Sequence, residues 1–284
     1  MKSLLSSTIL TTLVLVSCSR PTHSPKAPTI PQARKLQVEP KLVAEELNPE
    51  YPKVIPEPKP PAPSIPRHPI KVRRSSYKGI DFTVLSFDRR DYRIDVVDQK
   101  GGPGSRFDSA REAGGTGLAA INGGFFGPSG EPVGLVITEG DRRGYFNSAS
   151  YLGTGILDGN AVTLATRTAY QTSNELLQSG PRLVWKRESL TGLSSASARP
   201  RSFLIWDGAA HFGLAYADSA SLKELSDALQ KQPVPGFTIK YAVNLDGGTS
   251  CDFWVSGTVS GGGFTESSFF KKKARNYLVV RSRD

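Results

Sequence analysis

At 284 residues the chain has room for one domain of ordinary size and a tail. It carries 36 Lys and Arg against 26 Asp and Glu, a net charge of +10, but residues 19–74 account for +6 of it and 75–284 for only +3. A basic tail beside an anionic membrane or wall polymer accounts for that imbalance, so no nucleic-acid site is expected on the folded part.

Met1-Lys2 is a short basic start, and Leu4 to Val16 is an apolar run too short to span a bilayer as a helix. Small residues at its end mark a secretory signal. Leu15-Val-Ser-Cys18 resembles the lipobox of bacterial lipoproteins. That resemblance implies a signal peptide over 1–18, lipidation of Cys18 and a membrane anchor. It also implies a domain facing an extracytoplasmic compartment of a bacterial envelope, on the outer membrane if the cell is Gram-negative. Residues 19–73 read as a disordered linker, because 19–70 hold 14 of the 21 prolines and prolines at that density forbid helix and sheet ladders. Cys251 is the one remaining thiol, which excludes an intramolecular disulfide in a secreted chain; its place in the alternating run Cys251, Phe253, Val255 predicts a buried, inert side chain.

From 74 the pattern changes to short alternating runs. Residues 80–87 and 92–97 read as strands joined by a charged turn, and 105–113 as a short helix stopped by Gly114-Gly115. A buried strand over 117–121 delivers Asn122. Further strands are predicted over 133–138, 151–157 and 161–165, with a hairpin turn at Asp158-Gly-Asn160. Residues 172–178 read as helical. Residues 202–207 and 211–217 pair around Gly208. Ser221 to Gln230 is the clearest helix, with Leu222, Leu225, Ala228 and Leu229 on one face and a Ser221-x-x-Glu224 capping box. Strands follow over 239–245, 250–255 and 274–281, with a glycine-rich loop at 257–263. The sum is one α+β domain over 74–284, a largely antiparallel or mixed sheet with a few short helices.

Four stretches carry the chemistry: Asn122-Gly-Gly-Phe-Phe126, Ser179-Gly-Pro-Arg182, Arg199-Pro-Arg-Ser202 and Asn244-Leu-Asp-Gly-Gly-Thr-Ser250. Each alone fits a turn at a sheet edge. Together, in this order, and with Pro132-Val-Gly-Leu-Val136 and Leu222-Lys-Glu-Leu225 between them, they resemble the phosphodiester glycosidase family from about Ile94 to the C-terminus. Ser202 stands where the family pattern has Thr.

The resemblance implies a hydrolase that releases a sugar, such as N-acetylglucosamine, from a sugar-1-phosphodiester of the cell envelope or an exopolysaccharide. Arg182 and Arg201 suit an anionic diester, since guanidinium forks match phosphate oxygens. A phosphate ester leaves as a stabilised anion, so the single carboxylate of Asp246 can serve as base or nucleophile where most glycosidases need two acids. Asn122 and Asn244 either orient that carboxylate or bind sugar hydroxyls. The amides of Gly123, Gly124, Gly247 and Gly248 are candidates for phosphate oxygens, with Ser179, Gly180 and Ser250 beside them. Arg199 reads as a solvated turn residue, and Glu131, Glu175 and Asp158 as loop or hairpin residues.

A rival reading is a lipid-anchored module that binds anionic envelope glycans without cleaving them; a carboxylate beside an anion weighs against it. A structural lipoprotein would leave the four stretches far apart. No cofactor is called for. One His in the folded part, His211, argues against zinc, an oxygen-ligated calcium at Asp246 stays open, and Gly101-Gly-Pro-Gly104 lacks the lysine of a nucleotide loop.

Overall fold

The computed structural model describes residues 68–283, which fall within one compact unit. The signal peptide, Cys18 and most of the expected linker lie outside the described residues. The last part of that linker is in the fold instead: His68 is bonded to Asp91, and the first strand, β1 (Lys71–Tyr77), starts before residue 74. Its sequence, Lys-Val-Arg-Arg-Ser-Ser-Tyr, is polar because it is a sheet edge, where charge deters pairing with other chains.

Lys78 and Gly79, both at positive φ, turn β1 into β2 (Ile80–Asp88). At Asp88–Asp91 the chain leaves that sheet, and β3 (Tyr92–Asp98) joins a second one. Helix α1 (Ala110–Gly114) is shorter than expected and is capped by the Ser109 side chain. Then come β4 (Ala119–Asn122), β5 (Val136–Thr138), β6 (Asp141–Arg143), a 3-10 turn at Tyr151–Gly153, β7 (Gly155–Asp158) and β8 (Thr163–Thr166). Strands β9 (Leu176–Ser179), β10 (Arg182–Trp185), β11 (Glu188–Ser189), β12 (Arg199–Trp206) and β13 (His211–Ala220) lead to α2 (Leu222–Gln230). The chain closes with β14 (Tyr241–Asn244), a 3-10 turn at Gly248–Ser250, β15 (Asp252–Val255), β16 (Phe264–Ser267) and β17 (Asn276–Ser282).

These strands form three sheets: β1-β2-β13-β12-β14-β10-β11, β16-β15-β4-β17-β3 and β6-β5-β9-β7-β8. Every pairing between named strands is antiparallel. Alternation decides what each face buries. On β12, Leu204 points into the core shared by all three sheets, with Ile121, Leu177, Phe253 and Leu278. Its neighbours Phe203 and Ile205 point the other way, under Leu222, Leu225 and Leu229 of α2. Both halves of the Ser221–Glu224 capping box are present.

Residues 172–178 are not helical. Glu-Leu-Leu-Gln favours helix in isolation, but Leu176 to Ser179 are all buried and form a central strand between β5 and β7. Tertiary burial overrides propensity here. Just before that strand, Glu175 accepts from the amides of Val96 (2.6 Å) and Glu139 (2.9 Å), substituting for a strand partner along the open edge of β3. Burial pushes its carboxyl above the ordinary range, against these two bonds. Glu175→Ala strands both amides and is expected to cost about 1–3 kcal/mol, read as a lower denaturant midpoint.

Candidate active site

The four stretches meet where the first sheet faces the second. Strand β14 runs between β12 and β10, so the segment after Asn244 is flanked by Ser202 on one side and Pro181 on the other: Leu245 N–H donates to Ser202 O and Asn244 N–H to Pro181 O, each at 2.9 Å. The end of β4 arrives from the second sheet. Asp246 N–H donates to Gly123 O (2.9 Å), and Asn122 Nδ2 donates to Asp246 O (2.7 Å). Two strand ends from different sheets are thereby locked around one carboxylate. A structural protein with scattered motifs is not what this geometry describes.

Asn122 is buried, and its Oδ1 accepts from Ser202 Oγ (2.6 Å) and Asp252 N–H (3.1 Å). Both of its polar atoms are thus held by protein partners. One of those partners is the backbone carbonyl of Asp246. Asn244 is buried too; its Nδ2 donates to Gly180 O (3.1 Å) and to Leu245 O, while its Oδ1 has no partner. Ser179 Oγ donates to Asn244 O at 3.0 Å, bracing the same strand end. The Gly180–Pro181 bond is cis.

The four glycine amides differ in what they can still bind. Gly123 N–H donates to Asn276 O and Gly124 N–H to Asn276 Oδ1, both at 2.8 Å, and Gly247 N–H donates to Asp246 Oδ1 at 2.9 Å. These three are taken, which corrects the expectation that they meet phosphate. A methyl group at Gly123 would lie 2.0 Å from Asn276 Oδ1, so only glycine allows that close approach. Gly248 alone keeps its amide, since no acceptor among the described residues takes it. Asn276, on β17, escaped sequence reasoning because nothing local marks it; it becomes a brace only when β17 pairs with β4.

Asp246 itself has no ion pair among the described residues. Burial raises its carboxyl above the ordinary range, opposed by hydrogen bonds from Ser250 and the Gly247 amide, and no other charged group is among the causes. Cys251 is buried, as expected, and burial pushes its thiol to about 12, which rules it out as a nucleophile at neutral pH.

Arg201 is buried beside the Asp-Gly-Gly turn. Its Nε donates to Ala220 O (2.8 Å) and an Nη to Ser197 O (3.1 Å); the other Nη lies 3.4 Å from where a methyl on Gly247 would sit. No carboxylate offsets it. Burial, and then the neighbouring Arg199, depress its pKa. Arg199 is exposed but lies over Gly248, its Cδ 3.1 Å from a methyl built there. It is thus a solvated residue, as read from the sequence, but it starts β12 rather than a turn and borders the Gly248 end of the site. Arg182 is half-buried with its Nε unpartnered and its guanidinium 5.0 Å from the Trp185 ring. Burial, and then the neighbouring Arg167, lower its pKa. Arg182, on β10, and Arg201, on β12, come from the two strands that flank β14.

The model of the phosphodiester glycosidase family, NAGPA, matches residues 116–281, more than half of the chain. The chain belongs to that family. All four stretches of the site fall inside the match, which starts later than the resemblance read from Ile94. No curated protein matches the sequence. Among solved structures, a hypothetical protein from Synechocystis superposes with a TM-score of 0.56 at 15% identity, over 75% of this chain and 62% of that one. This chain therefore spans less than two thirds of the Synechocystis chain. The zebrafish N-acetylglucosamine-1-phosphodiester alpha-N-acetylglucosaminidase catalytic domain, auto-inhibited by its pro-peptide, gives 0.53 at 18% identity, over 76% of this chain and 83% of that one. At such identities the two structures share the fold with this chain.

Proposed function

We propose that this phosphodiester glycosidase-family protein is a hydrolase that cleaves the bond between the anomeric carbon of a sugar and the phosphate of a phosphodiester. The observation that carries this reading is Arg201, a buried guanidinium without a carboxylate partner, one Nη of which lies against Gly247 in the turn that follows Asp246. An uncompensated buried cation is costly, and an anionic ligand is what relieves it. In the proposed reaction Asp246 accepts a proton from water as the water oxygen bonds to the anomeric carbon. The carbon–oxygen bond to phosphate breaks, and its electron pair leaves on the phosphate monoester. Arg201 and Arg199 hold the phosphate oxygens by charge-assisted bonds, with the Gly248 amide beside them. Asn122 and Asn244 keep the Asp246 turn in place.

The sugar is N-acetylglucosamine-like, by analogy with the printed activity of the zebrafish relative. The site of action is the bacterial envelope or an exopolysaccharide, with the domain tethered through Cys18. A non-catalytic glycan-binding module would share the arginines, but a desolvated carboxylate adds only repulsion to an anion binder. The deciding experiment incubates the full chain with a panel of N-acetylglucosamine phosphodiesters, including UDP-N-acetylglucosamine, and measures free sugar. Release supports the hydrolase; binding to the panel without release supports the module.

Arg201→Lys keeps the charge and loses the fork. It is expected to lower kcat/KM by roughly a hundred-fold, the scale of one lost electrostatic donor. A loss under a few-fold would remove Arg201 from the phosphate site.

A further inference from the structure

Next to Gly180 stands an aromatic residue that neither the family match nor the proposed chemistry assigns. Tyr151 begins the 3-10 turn before β7, and more than half of its surface is exposed. Its backbone is nevertheless fixed on several sides. Ser150 Oγ caps the turn by accepting from Leu152 N–H (3.1 Å), and Arg167 donates to Ser150 O (2.9 Å). Tyr151 O accepts from Thr154 Oγ1 (3.0 Å), and that hydroxyl in turn accepts from Arg182 N–H (3.0 Å). Tyr151 O also packs on Gly180, where a methyl would lie 2.7 Å from it. An exposed ring on a rigid turn, set against Gly180 and tied to the Arg182 amide through the Thr154 hydroxyl, loses little freedom when a ligand settles on it.

We infer that Tyr151 is the platform of a pyranose subsite: its ring takes the apolar face of the sugar whose phosphate sits at Arg201 and Arg199. Arg182, with an unpartnered Nε, borders the same subsite. The subsite presupposes that the protein takes a sugar phosphodiester, and it adds where the sugar lies and which side chain selects it. It distinguishes ligands by their sugar: a diester without a ring reaches the arginines and gains nothing from Tyr151.

The test measures binding in an Asp246→Asn background, where turnover does not intrude. Calorimetric titration uses two probes, the methyl phosphodiester of N-acetylglucosamine and dimethyl phosphate. Adding Tyr151→Ala is expected to weaken the sugar diester about ten-fold, the scale of losing one aromatic stacking platform. Tyr151→Phe, which keeps the ring, is expected to stay within about three-fold. Dimethyl phosphate affinity should not change in either variant. Equal sugar-diester affinity in the alanine variant overturns the subsite while leaving the hydrolase proposal intact. A parallel loss of dimethyl phosphate binding also overturns it, by placing Tyr151 on the phosphate. If the Asp246→Asn protein binds neither probe and the wild type releases no sugar, both proposals fall.

Discussion

Asp246→Asn is expected to lower kcat/KM roughly a thousand-fold on any sugar phosphodiester the wild type cleaves, the middle of the range for removing a general base. The same substitution should raise stability at neutral pH. Burial raises the Asp246 carboxyl in the folded chain, so the folded state holds that proton more tightly than the unfolded one. The contribution of such a group to stability is complete below the ordinary carboxylate value of about 3.9 and is lost as pH rises through the folded value. Asparagine keeps an acceptor for the Gly247 amide and carries no charge to desolvate. Thermal melts should therefore place the variant above the wild type at pH 7, with the gap closing below about pH 3.9. Wild-type activity should rise across the interval in which Asp246 ionises, so its acid limb lies above the ordinary carboxylate range. A variant that is folded and retains wild-type turnover would remove Asp246 from the chemistry.

The largest effect on stability is expected at Arg275. Its Nε and one Nη pair with the two oxygens of Asp98 at 2.9 and 3.0 Å, with both side chains buried, and its remaining Nη donates to Gly130 O at 2.6 Å. This fork fastens the start of β17 to the end of β3 and to the loop after Asn122. Arg275→Met leaves Asp98 as an unpaired buried charge and is expected to cost about 3–5 kcal/mol. Replacing both partners, Arg275→Met with Asp98→Leu, should cost markedly less, because no charge is then stranded. Denaturant unfolding at constant slope reads both. Equal losses in the single and double variants would mean that the fork acts through packing alone. Because Arg275 adjoins Asn276, the brace of Gly123 and Gly124, the single variant should also lower activity in the folded fraction.

The local features of this chain were legible without coordinates. Alternating runs located most strands, Ser221 and Glu224 marked the start of α2, and the pattern around Cys251 announced a buried thiol. The four motif stretches announced the site, because a strand that ends in Asn or Asp followed by glycine is a short-range signal. Strand β1 was missed because an edge strand is built from the polar residues that normally mark a linker. Strand β9 was misread because Leu-Leu-Gln at a sheet centre follows burial and not its own propensity.

Other facts depended on partners far apart along the chain. Asn276 takes the amides of Gly123 and Gly124 across the β4–β17 pairing, which turns two apparent phosphate ligands into scaffold. Arg182 and Arg201, 19 positions apart in the sequence, reach the site from opposite sides because β14 lies between β10 and β12. The sequence by itself determined which residue types end each strand, since that depends on neighbours along the chain. Only the tertiary structure decided which of their hydrogen-bonding groups remain free for a ligand, because a donor is spent or spared by whatever the folded chain brings against it.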